Sequence, residues 1–164
     1  MTSKLRMFAA MLVTLSTIGI GLHSAYADEV QVPFSGAYSG TATFGPNGPL
    51  FDGTGISTHL GLGTSQGYSV ITGIDNSRCL GGVANVNYET LTAANGDLLY
   101  IASDDVACPT GPNMYHGTGA WVVTGGTGRY SGVTGQGTFD GNSDFNQGQF
   151  TMRLTGAISA PNGQ

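Results

Sequence analysis

Residues 34–44 alternate with period two: Phe34, Gly36, Tyr38, Gly40, Ala42 and Phe44 take one set of positions, and Ser35, Ala37, Ser39, Thr41 and Thr43 the other. Successive side chains of an extended chain point to opposite faces, so this pattern predicts a strand with one apolar face. Residues 149–158 repeat it, with Phe150, Met152, Leu154, Gly156 and Ile158 opposite Gln149, Thr151, Arg153, Thr155 and Ala157. First and last strands are thus built alike, as two neighbours closing a barrel would be. Between them, strands are predicted at about 53–62, 68–74, 83–92, 97–104, 115–124 and 136–140, which makes eight. No stretch of this part sustains apolar residues at helical spacing, so the fold class is all-β. Eight short strands joined by Gly, Asn, Asp and Pro suit an antiparallel barrel or a sandwich. Glycines at alternate strand positions favour the barrel, because sharply coiled strands use them at bends.

The best-defined local unit is the hairpin of 83–92 and 97–104, since Asn95-Gly96 is the dipeptide preferred in a two-residue type I′ turn. That turn sets Ala94 opposite Asp97, Leu91 opposite Tyr100 and Glu89 opposite Ala102. Glu89 then shares a face with Leu91, Leu98 and Tyr100. If this face looks into the barrel, the carboxyl is desolvated and suited to general acid or base work. If it looks outward, Glu89 is an ordinary surface carboxylate, the commoner outcome for this residue type.

The first residues change the picture of where the protein works. Lys4 and Arg6 precede an apolar run from Met7 to about Leu22, and Ala25-Tyr26-Ala27 is a small-x-small cleavage pattern. Residues 1–27 read as an export signal, with cleavage after Ala27 and residues 28–164 as one barrel domain, periplasmic or secreted. The run is short for a spanning helix and contains Thr14, Ser16, Thr17, Gly19 and Gly21, which disfavours a retained anchor. Beyond Ala27 three arginines stand against ten carboxylates, a formal charge of minus seven. Nucleic acid and anionic membranes are not expected partners of such a surface. Cys79 and Cys108 both lie in the exported part, and the compartment argues for a disulfide between them. Neither has a second cysteine or a histidine at ligand spacing, so no metal site is expected there.

Residues 121–137, WVVTGGTGRYSGVTGQG, hold so much glycine around one Arg-Tyr pair that backbone shape must matter more than side chains. The run resembles the Gly-Gly-Ser/Thr-Gly-x-aromatic-x-Gly turn between late strands of the allene oxide cyclase and dirigent barrel families, including exported bacterial members of unknown function. The pieces GTGISTHLG at 53–61 and TAANGD at 92–97 add to the likeness. The resemblance implies an eight-stranded antiparallel barrel of lipocalin-like shape, often oligomeric, with an apolar cavity and no cofactor. In the matched turn Gly125, Gly126, Gly128 and Gly132 would form the turn and Tyr130 would plug the barrel. No catalytic residue of those families falls in it.

Sharper motifs fail on context. Gly63-Thr64-Ser65-Gln66-Gly67 fits G-x-S-x-G, but no helix follows to make a nucleophile elbow of Ser65. GGTGRYSGV carries Tyr130 where a calcium-binding nonapeptide has aspartate, and dinucleotide and P-loop fingerprints lack a helix to open. His59, placed in a strand beside Ser57 and Gly61, and His116 beside Tyr115 read as surface or rim residues. Asp104-Asp105 and residues 140–149 read as acidic loops without the spacing of a calcium loop. The candidates that remain are Glu89 for catalysis and Tyr88, Tyr100, Arg129 and Tyr130 for binding. The expected function is a barrel that binds an apolar small molecule or is purely structural, without cofactor, and that can form a homo-oligomer. A cofactor-free cyclase or isomerase acting inside the barrel is the alternative.

Overall fold

The computed structural model describes residues 30–163, so the expected export signal lies outside the described residues. Eight strands follow one another: β1 Gln31–Gly45, β2 Gly48–Ser57, β3 Gly61–Ile74, β4 Val83–Thr92, β5 Leu98–Gly111, β6 Met114–Gly126, β7 Gly135–Asp144 and β8 Gln149–Ser159. Each pairs antiparallel with the next, and β8 returns to β1, closing the barrel. Period-two patterning produces this because each inward face is covered only when the sheet curls fully onto itself, which also removes its edges. A meander places the β1–β2, β3–β4, β5–β6 and β7–β8 connections at one end. The other three connections and both ends of the domain lie at the opposite one.

That second end is filled. Phe34, Leu60, Leu91, Leu99, Trp121, Leu154 and Ile158 are fully buried there, and Phe34 meets Trp121 edge to face at 5.5 Å. The glycine-rich connection between β6 and β7 closes it through a single 3-10 turn, Gly128–Tyr130. Tyr130 is buried in the core cluster, and its hydroxyl donates to the His59 carbonyl at 2.6 Å, so the turn acts as a plug. Arg129 Nη2 donates to the same carbonyl, while the Arg129 backbone N–H donates to Asp97 Oδ2 at 3.2 Å. Gly128 has φ +55, and a Cβ there would overlap the Asp97 carboxylate, so position 128 requires glycine.

Three sequence expectations are corrected. The strand expected over 53–62 is instead the end of β2, a turn and the start of β3. His59 takes φ 69, and Leu60, which a continuing strand would turn outward, drops into the core. The β4–β5 connection is not a two-residue type I′ turn, because the positive φ falls on Gly96 alone and not on Asn95. Ala93 N–H donates to Asp97 O at 2.8 Å and Gly96 N–H to Ala93 O at 2.9 Å, giving a three-residue loop. Asn95 instead uses its side chain, with Oδ1 accepting from Asp97 N–H at 3.1 Å. The longer loop slips the register by one, so Leu91 faces Leu99 and Glu89 faces Ile101. Every side chain of β5 thereby changes face. Asp104-Asp105 is also not a loop: β5 runs on to Gly111, and Asp105 points inward.

The disulfide between Cys79 and Cys108 is present and ties the β3–β4 connection to β5. A disulfide of this kind is consistent with an oxidising, extracytoplasmic compartment.

Candidate functional site

The half of the lumen away from the Tyr130 plug holds a cavity of about 120 Å3. Phe44, Pro49, Ile71, Val83, Tyr115 and Phe145 surround its mouth, and Phe150, Met152 and Glu89 lie deeper. Its walls differ in chemistry. Aromatic side chains from β1, β2, β6, β7 and β8 form one side: Phe51 meets Phe150 at 5.3 Å, and Phe44 meets Phe145 at 4.3 Å. The opposite side is a polar stripe of Ser69 on β3, Asn85, Asn87 and Glu89 on β4, and Asp105 on β5.

Strand β4 explains the stripe. Its inward set is Asn85, Asn87, Glu89 and Leu91, whereas Ala84, Val86 and Tyr88 face away. The usual order of apolar inside and polar outside is therefore reversed until Leu91 joins the filled half. Each polar group needs a partner once buried, and the neighbouring strands supply them. Ser69 Oγ donates to Asn87 Oδ1. Asn87 Nδ2 donates to Ser103 Oγ and to Asp105 Oδ1, each at 3.1 Å, and Asn85 Nδ2 donates to Val83 O at 2.9 Å.

Glu89 forms the floor of the stripe. It is 7% exposed, and its Oε2 accepts from Ser65 Oγ at 2.8 Å. The other oxygen, Oε1, has no hydrogen-bond partner among the described residues. The carboxyl lies over Gly67, its register partner on β3, where a Cβ would overlap it. Gly117 on β6 makes the same room for Asp105. Burial pushes the Glu89 carboxyl up to about 7, against the opposing effect of the Ser65 bond. Burial also raises Asp105, with Asn87 and Asn85 pulling it back. Tyr38 on β1 is raised by burial and, in small part, by the charge of Glu89; its hydroxyl is 2.9 Å from Ser57 Oγ. The floor thus holds a carboxyl that gains or loses its proton near neutral pH.

Of the residues named from the sequence as candidates for catalysis or binding, only Glu89 lines the cavity. Tyr88 is on the outer surface, stacked on Tyr68 with ring centroids 5.1 Å apart. Tyr100 shares the outward side of β5 with Leu98, and Arg129 and Tyr130 belong to the plug. His116 is also outside, 3.7 Å from Asp140. Ser65 is in a strand rather than at an elbow, yet it reaches the site as the partner of Glu89. Ser69, Asn85, Asn87 and Asp105 were missed, and the inverted alternation of residues 84–91 was the signal for three of the stripe's members. Among the described residues no group of three His, Cys, Asp or Glu side chains is placed to hold a metal ion.

A comparison with models of known protein families gave no match, and neither did a comparison with curated protein sequences.

Proposed function

We propose that this protein is an exported binding barrel that takes a small molecule with an aromatic or apolar body into the open half of its lumen. The observation that carries the reading is the cavity of about 120 Å3 with an aromatic wall facing a hydrogen-bonding one. Ligand sites are concave and mostly apolar, with a few placed polar groups that fix orientation. The volume is of the order of an engineered apolar cavity of about 150 Å3 that binds benzene, so one aromatic ring is the natural scale of the occupant. Export is supported by the character of residues 1–27 and by the disulfide.

The test is native mass spectrometry of the protein purified from its exported fraction, followed by titration of whatever is released. Binding should be lost in Ala107→Trp, which places an indole in the cavity. Binding unchanged in that variant, with the barrel still folded, rules the lumen out as the site.

A second reading draws on Glu89 and on the likeness of residues 121–137 to the allene oxide cyclase and dirigent turn. A buried carboxyl that titrates near 7 and borders a cavity is suited to proton transfer, so the barrel would act as a cofactor-free isomerase or cyclase. Turnover of a co-purified molecule that survives Glu89→Gln removes Glu89 from the chemistry, and no turnover by the unaltered protein removes this reading.

A further inference from the structure

Within the binding reading, the hydrogen-bonding valences of the stripe identify the polar end of the ligand. Every donor of the lining stripe is engaged by the protein itself. Ser69 Oγ serves Asn87, both Asn87 Nδ2 hydrogens serve Ser103 and Asp105, and Asn85 serves Val83 and lies opposite Asp105. Ser65, behind the stripe, serves Glu89. What remains toward the lumen is acceptor capacity and negative charge, above all Glu89 Oε1, on a side chain more than nine-tenths buried.

No protein cation answers it. The cations of the described residues are three arginines: Arg78 donates to Thr118 O at 2.6 Å, Arg129 belongs to the plug, and Arg153 is exposed on β8. His59 sits in the closed end and His116 faces outward. A carboxylate or phosphate ligand would meet two buried acids on the stripe and no free donor there; the hydroxyls of Tyr115 and Ser143 lie on the facing wall. An ammonium group supplies up to three donors and a positive charge, and the aromatic wall attracts a cation through its ring faces.

We propose that the barrel binds an arylalkylamine, a molecule with one aromatic ring and a protonated amine, whose ammonium donates to Glu89 Oε1 while its ring packs against Phe51 and Phe150. The ionised Glu89 required for this pairing shares the lumen with Asp105 on β5, Tyr38 on β1 and, at the mouth, Tyr115 on β6. Gly67 and Ser65 on β3 and Ile101 on β5 bring no charge against it.

The experiment is calorimetric titration of the purified protein in phosphate buffer with three probes of similar size: 2-phenylethylamine, 2-phenylethanol and phenylacetate. At pH 8 the amine is expected to bind at least tenfold more tightly than the alcohol, with no detectable binding of phenylacetate. Between pH 6 and pH 8 its affinity should rise about tenfold as Glu89 ionises. Glu89→Gln should erase the preference for the amine, bringing amine and alcohol to within about twofold of one another, and Asp105→Asn should reduce the preference less. Equal binding of amine and alcohol to the unaltered protein overturns the proposal and leaves the binding reading standing. A preference that survives Glu89→Gln overturns the role given to Glu89. Failure of all three probes overturns the cavity reading and the proposal together.

Discussion

Replacing Glu89 by Gln keeps the side-chain size and the acceptor for Ser65 but removes the ionisation. In the unaltered protein the carboxyl is raised from 4.5 to about 7 by burial. The folded state therefore holds the Glu89 proton more tightly than the unfolded chain does. Its contribution is fully present below about pH 4.5 and is lost as pH rises through about 7, where folding requires burial of a carboxylate. At ~1.4 kcal/mol per pH unit the full loss is about 3 kcal/mol, of which roughly 2–3 kcal/mol falls between pH 5 and pH 8. Urea unfolding of both proteins, ligand-free and in amine-free buffer, measures this directly. Taking the difference between the two cancels Asp105 and every other group that titrates alike in both. The variant should gain on the parent by that 2–3 kcal/mol from pH 5 to pH 8, seen in thermal scans as a relative shift of roughly 9 °C. A difference that does not change with pH, or that favours the parent at high pH, refutes the burial of an ionisable Glu89 facing the lumen.

Other consequences follow from the same geometry. Converting both Cys79 and Cys108 to Ser releases a loop with a sequence separation of 29 and should cost about 3–4 kcal/mol, read as a lower urea midpoint that reductant reproduces in the parent. Tyr130→Phe removes the bond to the His59 carbonyl and should cost about 1 kcal/mol, because Arg129 still serves that carbonyl. Gly128→Ala combines positive φ with overlap onto Asp97 and should cost about 2 kcal/mol or more by thermal unfolding. Gly67→Ala pushes the Glu89 carboxyl off its seat and should remove most of the pH-dependent difference described above.

The strands with ordinary alternation were readable, and so were the bounds of the inverted one at 83–92; which of its faces turned inward was not. Residues 34–44 and 149–158 show one apolar face, and they became β1 and β8, paired as the likeness of their patterns suggested. The start of β2 was hidden because Gly48-Pro49 reads as a loop. The turn at residues 58–60 was hidden because it contains no Gly, Asn, Asp or Pro. Asn95-Gly96 gave the right place for a turn and the wrong type, since the Asn95 side chain bonds the backbone instead of the residue entering the left-handed region. That single residue of loop length decided which face of β5 entered the lumen, and with it the fate of Asp105. Glu89 was recognisable as chemically odd, but its surroundings depend on the register set by the three-residue loop, whose far side is also tied to the plug turn: Asp97 through Arg129, and Leu98 through Thr127 Oγ1 at 2.9 Å.

The two halves of the lumen also bear on whether the barrel is purely structural. Its closed half shows that this chain can fill a barrel with aromatic and aliphatic side chains. Continuing that packing through positions 85, 87, 89 and 105 would replace a buried ladder of amides and acids by apolar groups, a change often neutral or stabilising when the buried polar groups are ionisable. The open half instead keeps two acids whose ionisation burial opposes, together with two glycines, Gly67 and Gly117, that make room for them at the cost of side chains that would pack. The two acids lower stability in the empty protein above neutral pH, and that penalty is relieved when a cation enters. A barrel selected only for stability has no physical reason to retain them. One that binds a cationic guest does, because the guest's affinity is drawn from the same unfavourable burial that the empty protein carries.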